Sequence, residues 1–262
     1  MGFAGVRVDG QQSSRLTGSP ADPVDSVEED RATMKDLAVI ETILRNRYYF
    51  FAEIRDGVDL RTKMRAMLIS SCLFLALYGA VIGSSHSLWQ ALSSAVKMPV
   101  LFLATLVVCS PTLYFFNVLF GSNQSLTQNF SLILTAITVS AVLLLSFTPI
   151  VFFFLLTTGG YQFFKLLNVM VCSISGWMGV VFLSQGMSVV SSAGKEGASA
   201  RRSVMRFWIV LYAFVGSQMA WTLRPFIGAP SMKFELFRQL GGNFYSNILV
   251  SLGEMLGFLV VR

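Results

Sequence analysis

Residues 98–164 are the part of the sequence that most limits what this chain can fold into. These 67 consecutive residues contain no Asp, Glu, Lys or Arg. An uncharged segment of this length is typical of a lipid environment, and it is long enough for two helices that each cross the ~30 Å hydrocarbon layer of a bilayer. The sequence predicts these helices over residues 100–120 and 130–156, with helix kinks at Pro111 and Pro149.

The composition of the whole chain also indicates a membrane protein. Hydrophobic residues make up 54% of the 262 residues, charged residues only 13%, and the mean hydropathy is +0.63. The charged residues are concentrated at the two ends and in one loop. There Lys and Arg flank apolar segments, as they do where helix ends meet anionic lipid headgroups. No nucleic-acid recognition motif accompanies the net charge of +6, so we expect the lipid bilayer, and not nucleic acid, as a partner.

Three further segments bring the number of predicted crossings to five. Residues 64–83, 166–190 and 207–223 each have the length and apolar content that a crossing requires. Residues 84–97 are too polar to cross, and they predict a short interfacial helix between the first two crossings. The predicted fold class is therefore an all-α integral membrane protein, a bundle of five transmembrane helices over residues 64–223.

Polar segments flank this domain at both ends. Residues 1–33 are rich in Gly, Ser, Pro and Asp and predict a disordered tail. Residues 34–63 predict an amphipathic helix that lies in the headgroup plane, docks onto a partner, or packs back on its own protein. Its apolar side consists of residues at steps of three and four, namely Leu37, Ile40, Ile43, Leu44, Tyr48 and Phe51. Residues 224–262 predict a polar segment and an interfacial helix, in which Glu254 disfavours a sixth crossing.

The basic residues near the helix ends predict the orientation of the bundle. If the amino terminus is cytoplasmic, ten Lys and Arg residues fall on the cytoplasmic side and six on the opposite side. Short cytoplasmic loops carry the excess of Lys and Arg in membrane proteins. We therefore expect a cytoplasmic amino terminus and a carboxyl terminus on the other side.

Catalytic and metal-binding patterns are missing from the sequence. Cys72, Cys109 and Cys172 lie in apolar segments without metal-ligand spacing, and His86 is the only histidine. The sequence contains no Ser-His-Asp set, phosphate-binding glycine loop or carboxylate cluster beside the membrane. We therefore predict no enzymatic activity, no cofactor and no metal, with an axial bond from His86 to a pigment as the alternative left open.

Two local patterns bear on the interior of the bundle. Ser175 and Gly179 are small residues one helical turn apart, which favours close helix packing over a ligand site. The second and third predicted crossings each combine a hydroxyl residue, a proline and an aromatic run. Broken helices of this kind occur in transporters, but a hydroxyl next to a proline also satisfies backbone groups without any transport.

Two runs of residues resemble known sets of proteins. The sequence from Ile43 through the first two predicted crossings, with KMP at 97–99 and CSPTLY at 109–114, resembles the five-span bacterial relatives of the Yip family of membrane-trafficking proteins. The run WTLRPFIG at 221–228 resembles a set of bacterial membrane proteins that includes cyanobacterial ones. The resemblance implies a five-span bundle in a bacterial inner membrane or a thylakoid, with a role in assembly or interaction.

We therefore expect a non-catalytic scaffold or accessory subunit that works with other membrane proteins, as an oligomer or within a larger complex. The interaction candidates lie in the carboxyl-terminal segment and are Arg224, Pro225, Phe226, Phe237, Arg238, Asn243, Phe244 and Tyr245. One alternative is a small channel or transporter built on the helices that contain Pro111 and Pro149. The other is a subunit of a photosynthetic complex in a thylakoid.

Overall fold

The computed structural model describes residues 38–119, 124–158, 160–190, 198–228, 236 and 242–256. Within these ranges, the regular secondary structure is entirely helical. Three sequence predictions fall outside the described residues. They are the tail over residues 1–33 and the interaction candidates Phe237 and Arg238.

A helical segment over residues 38–45 precedes seven helices of the described chain. These are α1 (Arg47–Asp56), α2 (Leu60–Gly83), α3 (Leu88–Leu119), α4 (Leu126–Thr157), α5 (Tyr161–Val190), α6 (Ala198–Thr222) and α7 (Phe244–Met255). The four helices α2 to α5 are long and apolar enough to cross a membrane. The helical, multi-pass character predicted from the sequence is therefore confirmed. α6 covers the predicted fifth crossing but is less apolar than these four, because it carries residues such as Arg206 and Gln218.

α4 lies at the centre of the packing, against α1, α2, α3 and α5. Residues 131–141 of this helix are buried on every side. The two threonine hydroxyl groups in this run are satisfied locally, since Thr135 donates to the Ser131 carbonyl oxygen at 2.7 Å and Thr138 to that of Leu134 at 2.9 Å. Polar side chains can therefore lie in an apolar core without unpaired hydroxyls at these positions.

Two glycines bring α2 and α3 close together. A Cβ atom at Gly79 would lie 2.8 Å from the Ser94 carbonyl carbon, and one at Gly83 would lie 2.7 Å from Ala91 Cα. These distances leave no room for a side chain, so the backbones of the two helices are in direct contact. The glycines are four residues apart, the spacing that is characteristic of close helix pairs in membranes.

The prediction of a separate interfacial helix over residues 84–97 is wrong. Only residues 84–87 form a turn, and α3 then continues from Leu88 through Pro99 and Pro111 to Leu119. Proline removes one hydrogen-bond donor from a helix, but here the tight contact with α2 extends to Met98, next to Pro99. Packing therefore keeps the helix continuous where the local sequence favours a break. Pro149 likewise lies inside α4.

The amino-terminal helix packs on its own protein, which is one of the predicted alternatives. Ile43, Phe50, Phe51 and Ile54 are buried, and α1 contacts α4 and α5. The predicted apolar side is wrong at Leu44 and Tyr48, both of which are exposed. The helix breaks at residue 46, where φ is −125° and ψ is 51°. Tyr48 follows this break, whereas Leu44 precedes it.

Hydrogen bonds identify which helix ends lie together. At one end of the bundle, Gln162 at the start of α5 donates to Glu254 of α7. At the other end, Gln128 at the start of α4 donates to the Arg55 carbonyl oxygen of α1 at 2.8 Å. We call these the α7 end and the α1 end.

Candidate ligand site between α5 and α6

A cavity of about 940 Å³ lies between α5 and α6. Among the described residues, α6 packs on α3 and α7 and makes no substantial contact with α5. Tyr78 of α2 and Phe102 of α3 form the floor of the cavity, and Phe244 and Ile248 of α7 close one end. Its volume is at the upper end of the range for small-molecule sites, about 300–1,000 Å³.

Small side chains on the two walls create this space. Ser173 and Gly176 of α5 face Ala213 and Gly216 of α6 across the cavity. A Cβ atom at Gly176 would meet no other atom within 4 Å, and one at Gly216 would meet only Thr105 Cγ2, at 3.7 Å. Both glycines therefore border open space instead of a packed neighbour.

The neighbouring face of α5 is closely packed on α4. A Cβ atom at Gly179 would lie 2.6 Å from the Ala136 carbonyl oxygen. Ser175 is fully buried, and its carbonyl oxygen accepts a hydrogen bond of 3.0 Å from Ser140 Oγ. The close packing predicted for Ser175 and Gly179 is therefore confirmed, and the cavity is lined by the residues that alternate with them along the helix.

The cavity opens sideways, between α5 and α6. Trp177 of α5 and Val210 and Phe214 of α6 line the cavity, yet they are 67%, 68% and 54% exposed. Side chains that are both exposed and part of the lining form the rim of an opening. Because these residues lie in the middle of α5 and α6, the opening is on the side of the helices and not only at their ends.

Among the described residues that line the cavity, the charged side chains are those of Lys165 and Arg224, and both are cationic. Both lie near the α7 end of the cavity. Lys165 Nζ donates to Asn247 Oδ1 of α7 at 3.0 Å. The guanidinium carbon of Arg224 lies 3.4 Å from the centre of the Trp221 ring.

Farther from this end, the cavity is mainly apolar. The walls there consist of Val180 of α5 and Ile209 of α6, above Phe102 of α3. One polar pair lies deeper on the inner wall, where the Tyr78 hydroxyl donates to Asn168 Oδ1 at 2.8 Å. The cavity thus combines a cationic end with a long apolar part, which is the chemistry that matches an amphiphile.

Three buried polar side chains of α3 hold the backbone that follows α6. Gln90 Nε2 donates to the Pro225 carbonyl oxygen at 2.9 Å, and Lys97 Nζ donates to the same atom at 3.2 Å. Ser94 Oγ donates to the Phe226 carbonyl oxygen at 2.6 Å. These donors lie at steps of four and three residues and therefore share one helix face. They fix the position of the segment that carries the predicted Arg-Pro-Phe motif.

Five of the predicted interaction candidates surround this one cavity, and they are Arg224, Pro225, Phe226, Phe244 and Tyr245. Asn243 has a structural role in the described chain, because its side chain accepts a hydrogen bond of 2.8 Å from the Ser246 amide and caps α7. The predicted helix kinks at Pro111 and Pro149 lie elsewhere, outside the cavity lining.

Sequence reasoning missed the walls of the cavity. From the sequence, no site role is predicted for Lys165 or Gly176. A stripe of small residues on α6, Ala213, Gly216 and Ala220, matches the small residues of α5 and is the signal that could have indicated facing helices with space between them.

The three cysteines and His86 do not form a cluster in the described part of the chain. No group of three or more His, Cys, Asp or Glu residues there is arranged to hold a metal ion. Cys172 lines the cavity, whereas Cys72 and Cys109 do not. His86 packs against Gly228, outside the cavity lining.

The fold and the cavity together define a multi-pass helical membrane protein with an internal site of amphiphilic character. Comparison of the chain with family models, curated proteins and solved structures found no match. The resemblance to bacterial Yip relatives therefore stays a prediction.

Proposed function

We propose that this chain is a non-enzymatic membrane protein that binds a lipid-like amphiphile between α5 and α6. The observation that carries the proposal is a cavity of about 940 Å³ with a cationic end, an apolar interior and an opening toward the bilayer. A lipid-like ligand that enters from the membrane needs all three features. Its apolar tail must move sideways out of the bilayer into the cavity, while its polar headgroup stays at the membrane surface.

The alternatives predicted from the sequence differ in their support. The channel or transporter alternative depends on Pro111 and Pro149, and neither residue lines the cavity.

An accessory role is compatible with a lipid site, because the exposed side chains of Phe207, Val210 and Phe214 lie along the outer face of α6, beside the opening. A neighbouring membrane protein would contact this face and the bound lipid together. Copurification from native membranes tests this accessory role.

We also propose five crossings with a cytoplasmic amino terminus. α6 has 25 residues, which gives a helix of roughly 37 Å, enough to cross the ~30 Å layer. The count of basic residues supports this orientation more strongly once burial is considered. Lys97 is buried, and Lys165 and Arg224 line the cavity. These three cations should therefore not be counted among the basic loop residues of the α7 end. Cysteine labelling from either side of sealed vesicles, at Tyr49 and at Leu256, tests the orientation.

Native mass spectrometry of protein purified in mild detergent tests the lipid proposal. We expect wild-type protein to retain lipid, Gly176→Phe to lose it because the added ring fills the cavity, and Gly176→Ala to keep it. Ala213→Phe fills the same space from the opposite wall and serves as an independent second variant. The proposal is wrong if the folded wild-type protein retains no lipid, or if Gly176→Phe and Ala213→Phe both retain as much lipid as the wild type.

A further inference from the structure

We propose that α7 is a lid over one end of the cavity, and that it must move before the bound amphiphile can enter or leave. This inference rests on the proposed function and concerns the entry route to the same site. It follows from the position of α7, from its attachment to the two walls, and from the way the helix begins.

α7 covers the end of the cavity where the headgroup of an amphiphile would lie. Phe244 and Ile248 of α7 line that end. The rim of the sideways opening, with Trp177 and Val210, lies in the middle of α5 and α6. This opening suits an apolar chain, whereas a polar headgroup that passed through it would lose its contacts with water. The headgroup therefore has to pass α7.

Side-chain hydrogen bonds attach α7 to both walls of the cavity. They join Gln162 and Lys165 of α5 to Glu254 and Asn247, and Ser217 of α6 to Tyr245. Since α5 and α6 make no substantial contact with each other, α7 connects the two walls across the cavity. A hydrogen bond between helices in a membrane contributes only about 1 kcal/mol. Attachments of this strength break and form again easily.

α7 lacks the apolar contacts that fix a helix on a protein core. Its buried residue among those described is a serine, Ser251. Large apolar side chains of α7 are exposed, namely Tyr245, Leu249, Leu252 and Leu256. A helix that is fixed on a core shows the opposite arrangement, as α1 does with the buried side chains of Phe50 and Phe51. α7 is therefore held less firmly than α1, which is the usual property of a lid.

The start of α7 has a hydrogen-bonded cap of its own. The Asn243 side chain accepts from the Ser246 amide at 2.8 Å, and Ser246 Oγ accepts from the Asn243 amide at 3.3 Å. This cap satisfies amide groups that would otherwise need partners elsewhere. Gly242, directly before the cap, has a φ of +69°, which glycine adopts without strain. The helix can therefore move as a unit and keep the bonds at its start.

The rates of lipid exchange test the lid. Purified protein is loaded with a phosphatidylglycerol that carries a fluorophore at the end of one acyl chain, and its release into unlabelled vesicles is followed. Glu254 bonds α7 to α5 but does not line the cavity. We expect Glu254→Leu to make entry and release both about fivefold faster, since a bond of about 1 kcal/mol is lost. The amount of lipid bound at equilibrium should not change.

Glu53→Leu is the matched control for this variant. Glu53 of α1 pairs with Lys63 of α2 at 2.8 Å, so the substitution removes an equivalent carboxylate at the α1 end. Both rates should stay at the wild-type value.

A covalent lock tests the opposite change. Gln162→Cys and Glu254→Cys are combined, and the two new thiols are joined by a short reducible crosslinker. The native thiols of Cys72, Cys109 and Cys172 are first removed by substitution with Ala. We expect lipid exchange to slow by about tenfold or more, because the crosslink keeps α7 closed, and to recover when the crosslinker is cleaved.

Each outcome has a distinct meaning. Slow exchange that recovers on reduction supports the inference. Unchanged exchange in the folded, crosslinked protein overturns it but leaves the proposed lipid site intact, because the whole ligand then passes between α5 and α6. Faster release from Glu254→Leu without faster entry also overturns it, since Glu254 then contributes to affinity and not to access. Failure of wild type to retain the labelled lipid contradicts the proposed function itself.

Discussion

The Tyr78 hydroxyl donates a hydrogen bond of 2.8 Å to Asn168 Oδ1 and joins α2 to α5 along the inner wall of the cavity. Both side chains are buried. Asn168 Nδ2 also donates to the Phe164 carbonyl oxygen of its own helix at 2.7 Å. Both the oxygen and the nitrogen of its side-chain amide are therefore hydrogen-bonded. This pair holds one wall of the cavity at a fixed distance from the floor.

Removal of the Tyr78 hydroxyl should therefore destabilise the fold. We expect Tyr78→Phe to lower the free energy of unfolding by about 1 kcal/mol, because a buried acceptor loses its partner and interhelical hydrogen bonds in membranes have about this strength. Tyr48→Phe is the matched control, since Tyr48 is 64% exposed. Unfolding in mixed micelles measures both variants, and equal effects would show that the Tyr78 hydrogen bond adds nothing.

Gly179 and Gly176 lie on two different faces of α5, and we expect replacement by Ala to have opposite effects on stability at the two positions. Gly179→Ala places a Cβ atom 2.6 Å from the Ala136 carbonyl oxygen, and overpacking of this kind costs about 1–3 kcal/mol. Gly176→Ala meets no atom within 4 Å and should be neutral or stabilising by up to ~1 kcal/mol, since Ala favours helix over Gly. Thermal unfolding in detergent compares the two. A lower melting temperature for Gly176→Ala than for Gly179→Ala would contradict the assignment of the faces.

The hydrogen bonds from α3 predict how the segment after α6 is held. Ser94→Ala removes the donor to the Phe226 carbonyl oxygen, a loss of about 1 kcal/mol. We expect amide hydrogen exchange at residues 226–228 to become roughly fivefold faster. Ser93→Ala is the neighbouring control, because the Ser93 hydroxyl has no hydrogen-bond partner among the described residues. If both variants exchange at the same rate, the segment is held by other contacts.

The burial of α1 predicts that this helix is part of the folded domain. Phe51 is 1% exposed and packs where α4 and α5 meet, near Gly186. Phe51→Ala should destabilise the protein by about 3–5 kcal/mol, the usual effect of removing a buried aromatic ring. Tyr49→Ala, at an exposed position of the same helix, should have little effect. Equal stability of the two variants would mean that α1 is peripheral and leaves the bundle easily.

The sequence predicted four long apolar helices, α2 to α5, because their signal is local. An apolar run of about 20 residues identifies a crossing helix without any knowledge of its neighbours. The absence of charge over residues 98–164 therefore corresponds to the described parts of α3, α4 and the start of α5. Close packing at Gly179 was predictable for the same reason, since the spacing of small residues is visible in the sequence.

The cavity was not predictable because it depends on which helices are neighbours. Gly176 and Gly179 are the same residue type on one helix, yet one borders open space and the other a backbone carbonyl. Only the lateral arrangement of α4 and α6 around α5 distinguishes them. The continuation of α3 through Pro99 has a similar origin, because contact with α2 overrides the local preference for a break.

Photocrosslinking tests the central claim most directly. A phosphatidylglycerol carrying a photoreactive group near the end of its acyl chain is incorporated into vesicles with the wild-type protein, irradiated, and the modified residues are mapped by mass spectrometry. Our account predicts adducts on the cavity side at Phe102, Thr105 and Tyr212, and their loss in Gly176→Phe. Adducts confined to outward-facing residues such as Val107 and Val108 would contradict it, because the lipid would then lie only around the protein.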